Sequence, residues 1–187
     1  MRKLMTGILL AAALPASASI TSELNAGGTA ADVIANAISA CGGSASCQEL
    51  AIAEAVTAGI DITTAVNLAV KAGVDTKAAI ASASEAGLKA GQSVESVLKA
   101  ASAVEGASDT DVIAAVTTGA KESGTDVKDV ESAALKQGFS AEVILVGTTG
   151  AVSGDTAGGN NNNVVVKKDG DKKQPPTQPL DSASPAG

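Results

Sequence analysis

The sequence of 187 residues contains no histidine, no tryptophan and no tyrosine, and Phe139 is its only aromatic residue. Without histidine there is no imidazole base, no Ser-His or Cys-His nucleophile pair and no imidazole ligand for a metal ion. Without tryptophan and tyrosine there is no broad aromatic side chain on which a sugar ring could stack. These absences exclude several common classes of catalytic and metal-binding site.

The sequence also lacks the glycine-rich and nucleophile motifs of familiar enzymes. It contains no G-x-S-x-G, no G-x-G-x-x-G and no G-x-x-x-x-G-K-[ST] phosphate loop. Asp109, Asp111 and Glu122 are carboxylates in one region, and a carboxylate pair can cleave glycosides. Helix capping explains Asp109 and Asp111 more simply. We therefore expect a protein that is not an enzyme and that uses no cofactor and no metal.

Cysteine is scarce, because Cys41 and Cys47 are the only two in the chain. A metal site needs more ligands than these two, and a redox motif is normally spaced C-x-x-C. In an exported chain, two cysteines this close usually form a disulfide. We expect such a bond to join the first two helices of the domain and to stabilise it by roughly 2 kcal/mol.

The N-terminus has the pattern of a secretory signal peptide. Two basic residues precede the apolar run Leu4–Leu14, which leads to the small residues Ala16–Ala18. The run is shorter than the roughly 20 residues that a membrane-spanning helix needs. We expect residues 1–18 to be removed by cleavage between Ala18 and Ser19, with export to the periplasm or the cell surface. We expect no membrane span in the mature chain.

The charge balance is acidic. The full chain carries 13 basic and 20 acidic residues, a net charge of −7, and loss of Arg2 and Lys3 with the signal peptide leaves −9. A nucleic acid or an anionic membrane surface attracts basic patches, and this composition offers no basic stripe. We expect no nucleic-acid partner.

One short pattern recurs between residues 29 and 147. A run rich in alanine, valine and isoleucine ends in glycine, an apolar residue follows, and then Asp or Ser, as in Ala58–Asp61, Ala72–Asp75 and Gln137–Ser140. Gly87 followed by Leu88 begins a similar joint. A left-handed glycine closes a helix, the apolar residue packs on its last turn, and the Asp or Ser caps the next helix.

The intervals between these joints predict an all-α domain. Capping-box-like starts occur at Thr29 with Asp32 and at Ser46 with Glu49. We expect seven short helices, at Thr29–Ala40, Gln48–Ala58, Ile62–Ala72, Thr76–Ala86, Val94–Val104, Val112–Thr118 and Val127–Lys136. A last segment, Ala141–Val146, is either a truncated helix or an extended end.

A longer period relates the second half of the domain to the first. Asp75, Gly87 and Gly106 recur as Asp109, Gly119 and Gly138 at offsets of about 32 to 34 residues, the length of a two-helix repeat unit. We therefore expect residues 29–147 to form an α-solenoid-like array of helical hairpins, preceded by a leader at 19–28. A compact helical bundle is the structural alternative.

The chain after Gly147 changes in composition. Residues 148–187 include the run Asn160–Asn163, the lysine-rich stretch Lys167–Lys173 and a proline pair. Such a segment cannot bury enough apolar surface to order itself, so we expect a disordered tail. Val164–Val166 could instead add as a strand to the sheet edge of a partner.

Two functions are compatible with these features. The first is a noncatalytic, secreted interaction or structural protein that presents a helical surface to another protein or cell-surface component, in a cell-surface or matrix assembly. The second is a small periplasmic carrier or chaperone whose helices enclose an apolar ligand. The sequence alone leaves both open.

Overall fold

A computed structural model describes residues 19–152, and within that range the chain is helical without any strand. The predicted signal peptide at 1–18 and residues 153–187 of the predicted tail (148–187) lie outside the described residues. No helix within 19–152 has both the length and the apolar character needed to cross a membrane. The helices of this range are α1 (Ile20–Asn25), α2 (Ala30–Ala40), α3 (Ala45–Thr57), α4 (Ile62–Lys71), α5 (Thr76–Lys89), α6 (Val94–Ser102), α7 (Asp109–Ser123), α8 (Val127–Lys136) and α9 (Ala141–Val152).

The glycine joints predicted at Gly59, Gly73 and Gly138 are confirmed. Gly59 has φ +96° and donates its N–H to the carbonyl of Val56 at 3.0 Å. The next N–H, of Ile60, donates to the carbonyl of Ala55 at 3.0 Å, which completes a Schellman motif at the end of α3. Because only glycine adopts this conformation at little cost, its position fixes where each helix stops.

The side-chain caps are also confirmed at most joints. Asp75 accepts a hydrogen bond from the N–H of Ala78 at 2.9 Å, and Thr29 accepts from the N–H of Asp32 at 3.2 Å. The proposed start at Ser46 is wrong, because α3 begins at Ala45. Gly42 and Gly43 are both left-handed and form a tight turn after α2, so the next helix begins before Ser46.

Gly87 does not end a helix, contrary to the sequence-based boundary at Ala86. It lies inside α5, where a Cβ atom would come within 2.8 Å of Cδ1 of Ile62, so the glycine admits a neighbouring side chain. Helix α5 ends at Lys89, and Gly91 takes the left-handed conformation instead. A glycine needed for close packing and one needed for a turn look alike in the sequence.

Three further bounds differ from the sequence-based expectations. The expected leader at 19–28 contains α1, which buries Ile20. Helix α7 extends beyond Val112–Thr118 at both ends, because Ser108 caps it and Gly119 is again an internal contact residue. The segment Ala141–Val146 is part of a helix that continues to Val152, so the boundary of the predicted tail at residue 148 is wrong.

The nine described helices contact one another in chain order. Each helix contacts those one and two places away along the chain, and no other contact between described helices occurs. The helices α3, α5, α7 and α9 therefore form one row, and α2, α4, α6 and α8 form the second.

The core is built from small aliphatic side chains. Fully buried residues include Ile80 on α5, Leu98 on α6 and Ile113 on α7, but alanine and valine supply most of the rest. The helices consequently approach closely, and a Cβ at Gly119 would lie 2.6 Å from the carbonyl oxygen of Ala81.

Two hydroxyl groups within the α5–α7 region lack hydrogen-bond partners. Ser84 Oγ and Thr117 Oγ1 are fully buried and unpaired. A buried hydroxyl without a hydrogen-bond partner lowers the stability of the folded state by about 1 to 3 kcal/mol. Ser84 therefore contributes to the packing of α5 and α7 through its small size and not through its hydroxyl. We expect Ser84→Ala to raise the free energy of unfolding by about 1 kcal/mol in urea titrations. A loss of stability would show that the hydroxyl has a role in the packing.

Candidate functional site

A groove crosses the surface of α3, α5 and α7. Its volume is about 600 Å³. The floor is formed partly by Ala78 and Ala81 of α5, whose short side chains leave a depression between the flanking helices. Leu50 of α3 stands at this groove with 71% of its surface exposed. An uncovered leucine over an alanine floor is an apolar contact surface.

Carboxylates from three helices edge the same groove. They are Glu49 of α3, Glu85 of α5 and Glu122 of α7, and Glu85 also forms an ion pair with Lys89. We call this feature, defined by Leu50, Ala78, Ala81 and the three glutamates, the acidic groove. Lys77 also lines it, so the carboxylates outnumber but do not exclude basic groups.

The position of Glu122 raises the pKa of its carboxyl above the ordinary value of 4.5. Partial burial is the largest cause, and the negative charges of Glu85 and Glu49 add to it, while Lys89 opposes it. Glu85 also accepts a hydrogen bond that favours the protonated form of Glu122. The carboxylates are thus close enough to repel one another, and a cation in the groove would relieve that repulsion.

The raised pKa of Glu122 predicts how Glu122→Gln changes the free energy of unfolding with pH. The folded state binds the proton more tightly than the unfolded state, so ionised Glu122 lowers stability above its folded pKa, and this cost vanishes as the pH falls through 4.5. We expect Glu122→Gln to raise the free energy of unfolding at neutral pH, by less than about 1 kcal/mol because most of the side chain remains in contact with solvent. Below about pH 4 the variant and the parent should coincide.

Urea titrations across this pH range measure the effect. The matched control is Glu105→Gln, which changes an exposed carboxylate in the loop before α7. A Glu122→Gln variant that gains nothing at neutral pH over this control would contradict the repulsion between the groove carboxylates.

The structure separates the carboxylates that the sequence placed in one region. Asp111 accepts a hydrogen bond from the hydroxyl of Ser108 at 2.6 Å at the start of α7, where Ser108 is the cap. Asp109 is the first residue of that helix. Glu122 lies eleven residues beyond Asp111, which corresponds to a rise of about 16 Å along the helix. Glu122 and Asp111 therefore do not form the closely spaced carboxylate pair that cleaves glycosides. Within residues 19–152, no group of three or more acidic or cysteine side chains could hold a metal ion.

Cys41 and Cys47 lie at the junction of α2 and α3. Cys41 caps the end of α2, and Cys47 is inside the first turn of α3 rather than before it. Their Sγ atoms are 2.07 Å apart and their Cα atoms 5.4 Å apart, at bonding distance. The bond closes a small loop that contains the left-handed glycines Gly42 and Gly43.

Removal of the disulfide provides a separate test of its role. We expect the double variant Cys41→Ser, Cys47→Ser to lose about 2 kcal/mol of unfolding free energy, because the unfolded chain regains loop entropy. Guanidinium titrations with and without reductant measure the loss. Reductant should destabilise the parent to the same extent and leave the double variant unchanged. An equal response of both proteins would contradict the assignment.

Sequence reasoning did not find the acidic groove. Glu49, Glu85 and Glu122 are far apart in the chain and meet because α3, α5 and α7 occupy the same row. The sequence signal that indicates them is weak, since Glu85 and Glu122 are the only glutamates of α5 and α7 but α3 carries two, Glu49 and Glu54.

Comparisons with protein-family models, with curated proteins and with solved structures found no match to this chain.

Proposed function

We propose that the chain is a noncatalytic, exported interaction protein that binds a basic, amphipathic segment of a partner protein in the acidic groove. It belongs to an assembly at the cell surface or in the matrix. The observation that carries the proposal is the exposed Leu50 at an alanine floor edged by Glu49, Glu85 and Glu122. Apolar side chains of the partner would cover Leu50, and lysine or arginine would face the carboxylates.

The proposed scaffold is an α-solenoid-like stack. Contacts that run only between helices one and two places apart support it, since solenoid units contact mainly their neighbours. The second row supports it too, because α4, α6 and α8 begin at Ile62, Val94 and Val127, at intervals of about 32 residues. The glycines that this period pairs have matching conformations, since Gly106 and Gly138 are both left-handed and Gly87 and Gly119 both lie inside helices.

Export is the second part of the proposal. The signal-peptide pattern supports it, and so does the close cysteine pair, since disulfides persist in oxidising compartments. Cell fractionation with intact-mass measurement tests it. We expect a chain that begins at Ser19 outside the cytoplasm. Recovery of the chain from the cytoplasm with residues 1–18 attached would contradict the proposal.

A synthetic helical peptide of leucine and lysine, with its glutamate counterpart as the control ligand, tests the groove. We expect the exported chain to bind the lysine peptide in fluorescence anisotropy, with affinity that falls as salt is added, and not to bind the glutamate peptide. The double variant Glu85→Lys, Glu122→Lys should lose binding. The control variant Glu95→Lys, Glu105→Lys carries the same charge change outside the groove and should retain it. An equal loss of peptide binding in both variants would show that binding depends only on net charge, and it would contradict the acidic groove as the binding site.

An apolar small-molecule ligand is the alternative, since the groove volume lies in the range of small-molecule sites. Native mass spectrometry of the exported chain purified from its host distinguishes the two. Bound lipid that is lost in Leu50→Glu would favour a carrier. The protein mass alone, together with lysine-peptide binding, would favour the interaction protein.

A further inference from the structure

Among the described helices, α9 has one neighbour in its row, whereas α5 and α7 each have two. Helix α7 is covered by α5 on one side and α9 on the other, whereas among the described residues α9 contacts only α7 and α8. Its side away from α7 exposes Leu145 to 63% and Val146 to 42%. Thr149 and Gly150 are exposed on the same side. Helix α9 carries one charged residue, Glu142, in its first turn.

The opposite end of the described helices differs. Helix α1 turns Ile20 inward and exposes Thr21, Ser22 and Asn25. Stacked helical arrays need a polar outer face at each end to remain monomeric and soluble. The N-terminal end has such a face, and the described part of the C-terminal end has an apolar one.

The outer face of α9 is self-complementary in size. Its large residues, Leu145 and Val146, come one turn before its small residues, Thr149 and Gly150. A Cβ atom at Gly150 would meet nothing within 4 Å, so space is open above this position. If two such helices pair antiparallel about a two-fold axis between Gly147 and Thr148, Leu145 of each faces Gly150 of the other. Val146 then faces Thr149.

Helices of this row already pack through glycine. Gly147 lies against the other neighbour, where a Cβ would come within 2.6 Å of Cγ2 of Ile113 on α7. Gly119 of α7 does the same against the backbone of α5. A contact of Leu145 with Gly150 of a second copy would continue this mode of packing across a molecular boundary.

We propose that α9 binds α9 of a second copy in an antiparallel, two-fold symmetric pair. An acidic chain is an unfavourable partner for itself, but this face has only Glu142, at its edge, so the pairing brings few like charges together. A helix of 12 residues is about 18 Å long, so the contact lies in the small, transient class of interfaces. We expect a dimer that dissociates on dilution through the micromolar range.

Sedimentation velocity of the exported chain over a concentration series tests the pairing. We expect Leu145→Glu alone and Gly150→Lys alone to be monomeric, with circular dichroism spectra like that of the parent. Leu50→Glu is the matched control, because it makes the same change at an exposed leucine on α3, and it should dimerise like the parent.

Mixing the two monomeric variants tests the register. In a mixed pair, the introduced glutamate at position 145 faces the introduced lysine at position 150, while the second contact keeps its native Leu145 and Gly150. We expect a one-to-one dimer on mixing, weakened by salt. A parent that stays monomeric at all concentrations would overturn the proposal, as would a dimer that survives Leu145→Glu. A full chain that is monomeric while residues 19–152 dimerise would assign the face to the chain's own C-terminal segment instead.

Discussion

We expect Gly119→Ala to lower the free energy of unfolding by about 2 to 4 kcal/mol, whereas alanine normally stabilises a helix relative to glycine. A Cβ at this position would lie 2.6 Å from the carbonyl oxygen of Ala81 and 2.7 Å from the amide nitrogen of Glu85. Both obstacles are backbone atoms, so α5 and α7 must move apart and lose their mutual burial. Urea titration of the exported chain measures the change.

Two other glycines in helices serve as controls for Gly119. At Gly87 the nearest obstacle is Cδ1 of Ile62, the end of a flexible side chain, so Gly87→Ala should cost less. At Gly150 there is no obstacle within 4 Å, so Gly150→Ala should gain up to about 1 kcal/mol when measured in dilute monomer. An order of effects other than Gly119, Gly87, Gly150 would contradict the close approach of α5 and α7.

We expect Leu98→Ala to lower the free energy of unfolding by about 3 to 4 kcal/mol. Leu98 is fully buried on α6, and the core as a whole consists mostly of alanine and valine, whose short side chains cannot fill the space that Leu98 would leave. In a core with few large side chains, each one contributes a large share of the buried apolar area.

Leu135→Ala is the matched control, since it makes the same change on α8 at a side chain that is 60% exposed. We expect it to cost less than about 0.5 kcal/mol. Guanidinium titrations of both variants should give the same m-value as the parent. Similar losses for Leu98→Ala and Leu135→Ala would show that the arrangement of the two rows is wrong.

The local structure of this chain was largely predictable, because turn chemistry is encoded in neighbouring residues. Gly59 followed by Ile60 and Asp61 specifies a helix stop, its hydrophobic contact and the next cap, and the structure contains all three. Where one residue type serves two purposes, the prediction failed. Gly87 was expected to end a helix and instead accommodates Ile62.

The candidate site was not predictable in the same way. The acidic groove depends on the spatial order of α3, α5 and α7, which is set by packing between residues more than 30 positions apart. Glu49 was expected as part of a capping box, and it lies instead at the edge of the groove, because the turn at Gly42 and Gly43 starts α3 earlier. The exposed face of α9 was missed because the sequence left Ala141–Val146 open between a truncated helix and an extended end and assigned Thr149 and Gly150 to the tail.

Native-state hydrogen exchange of the dilute exported chain most directly tests the central claim, that short helices persist here only because each is covered by its neighbours in chain order. Isolated helices of this length are marginal in water, so protection should follow coverage. We expect the slowest exchange in α5 and α7 and progressively faster exchange toward α1 and α9. Equal protection along residues 19–152, or the fastest exchange in α5 and α7, would contradict the account.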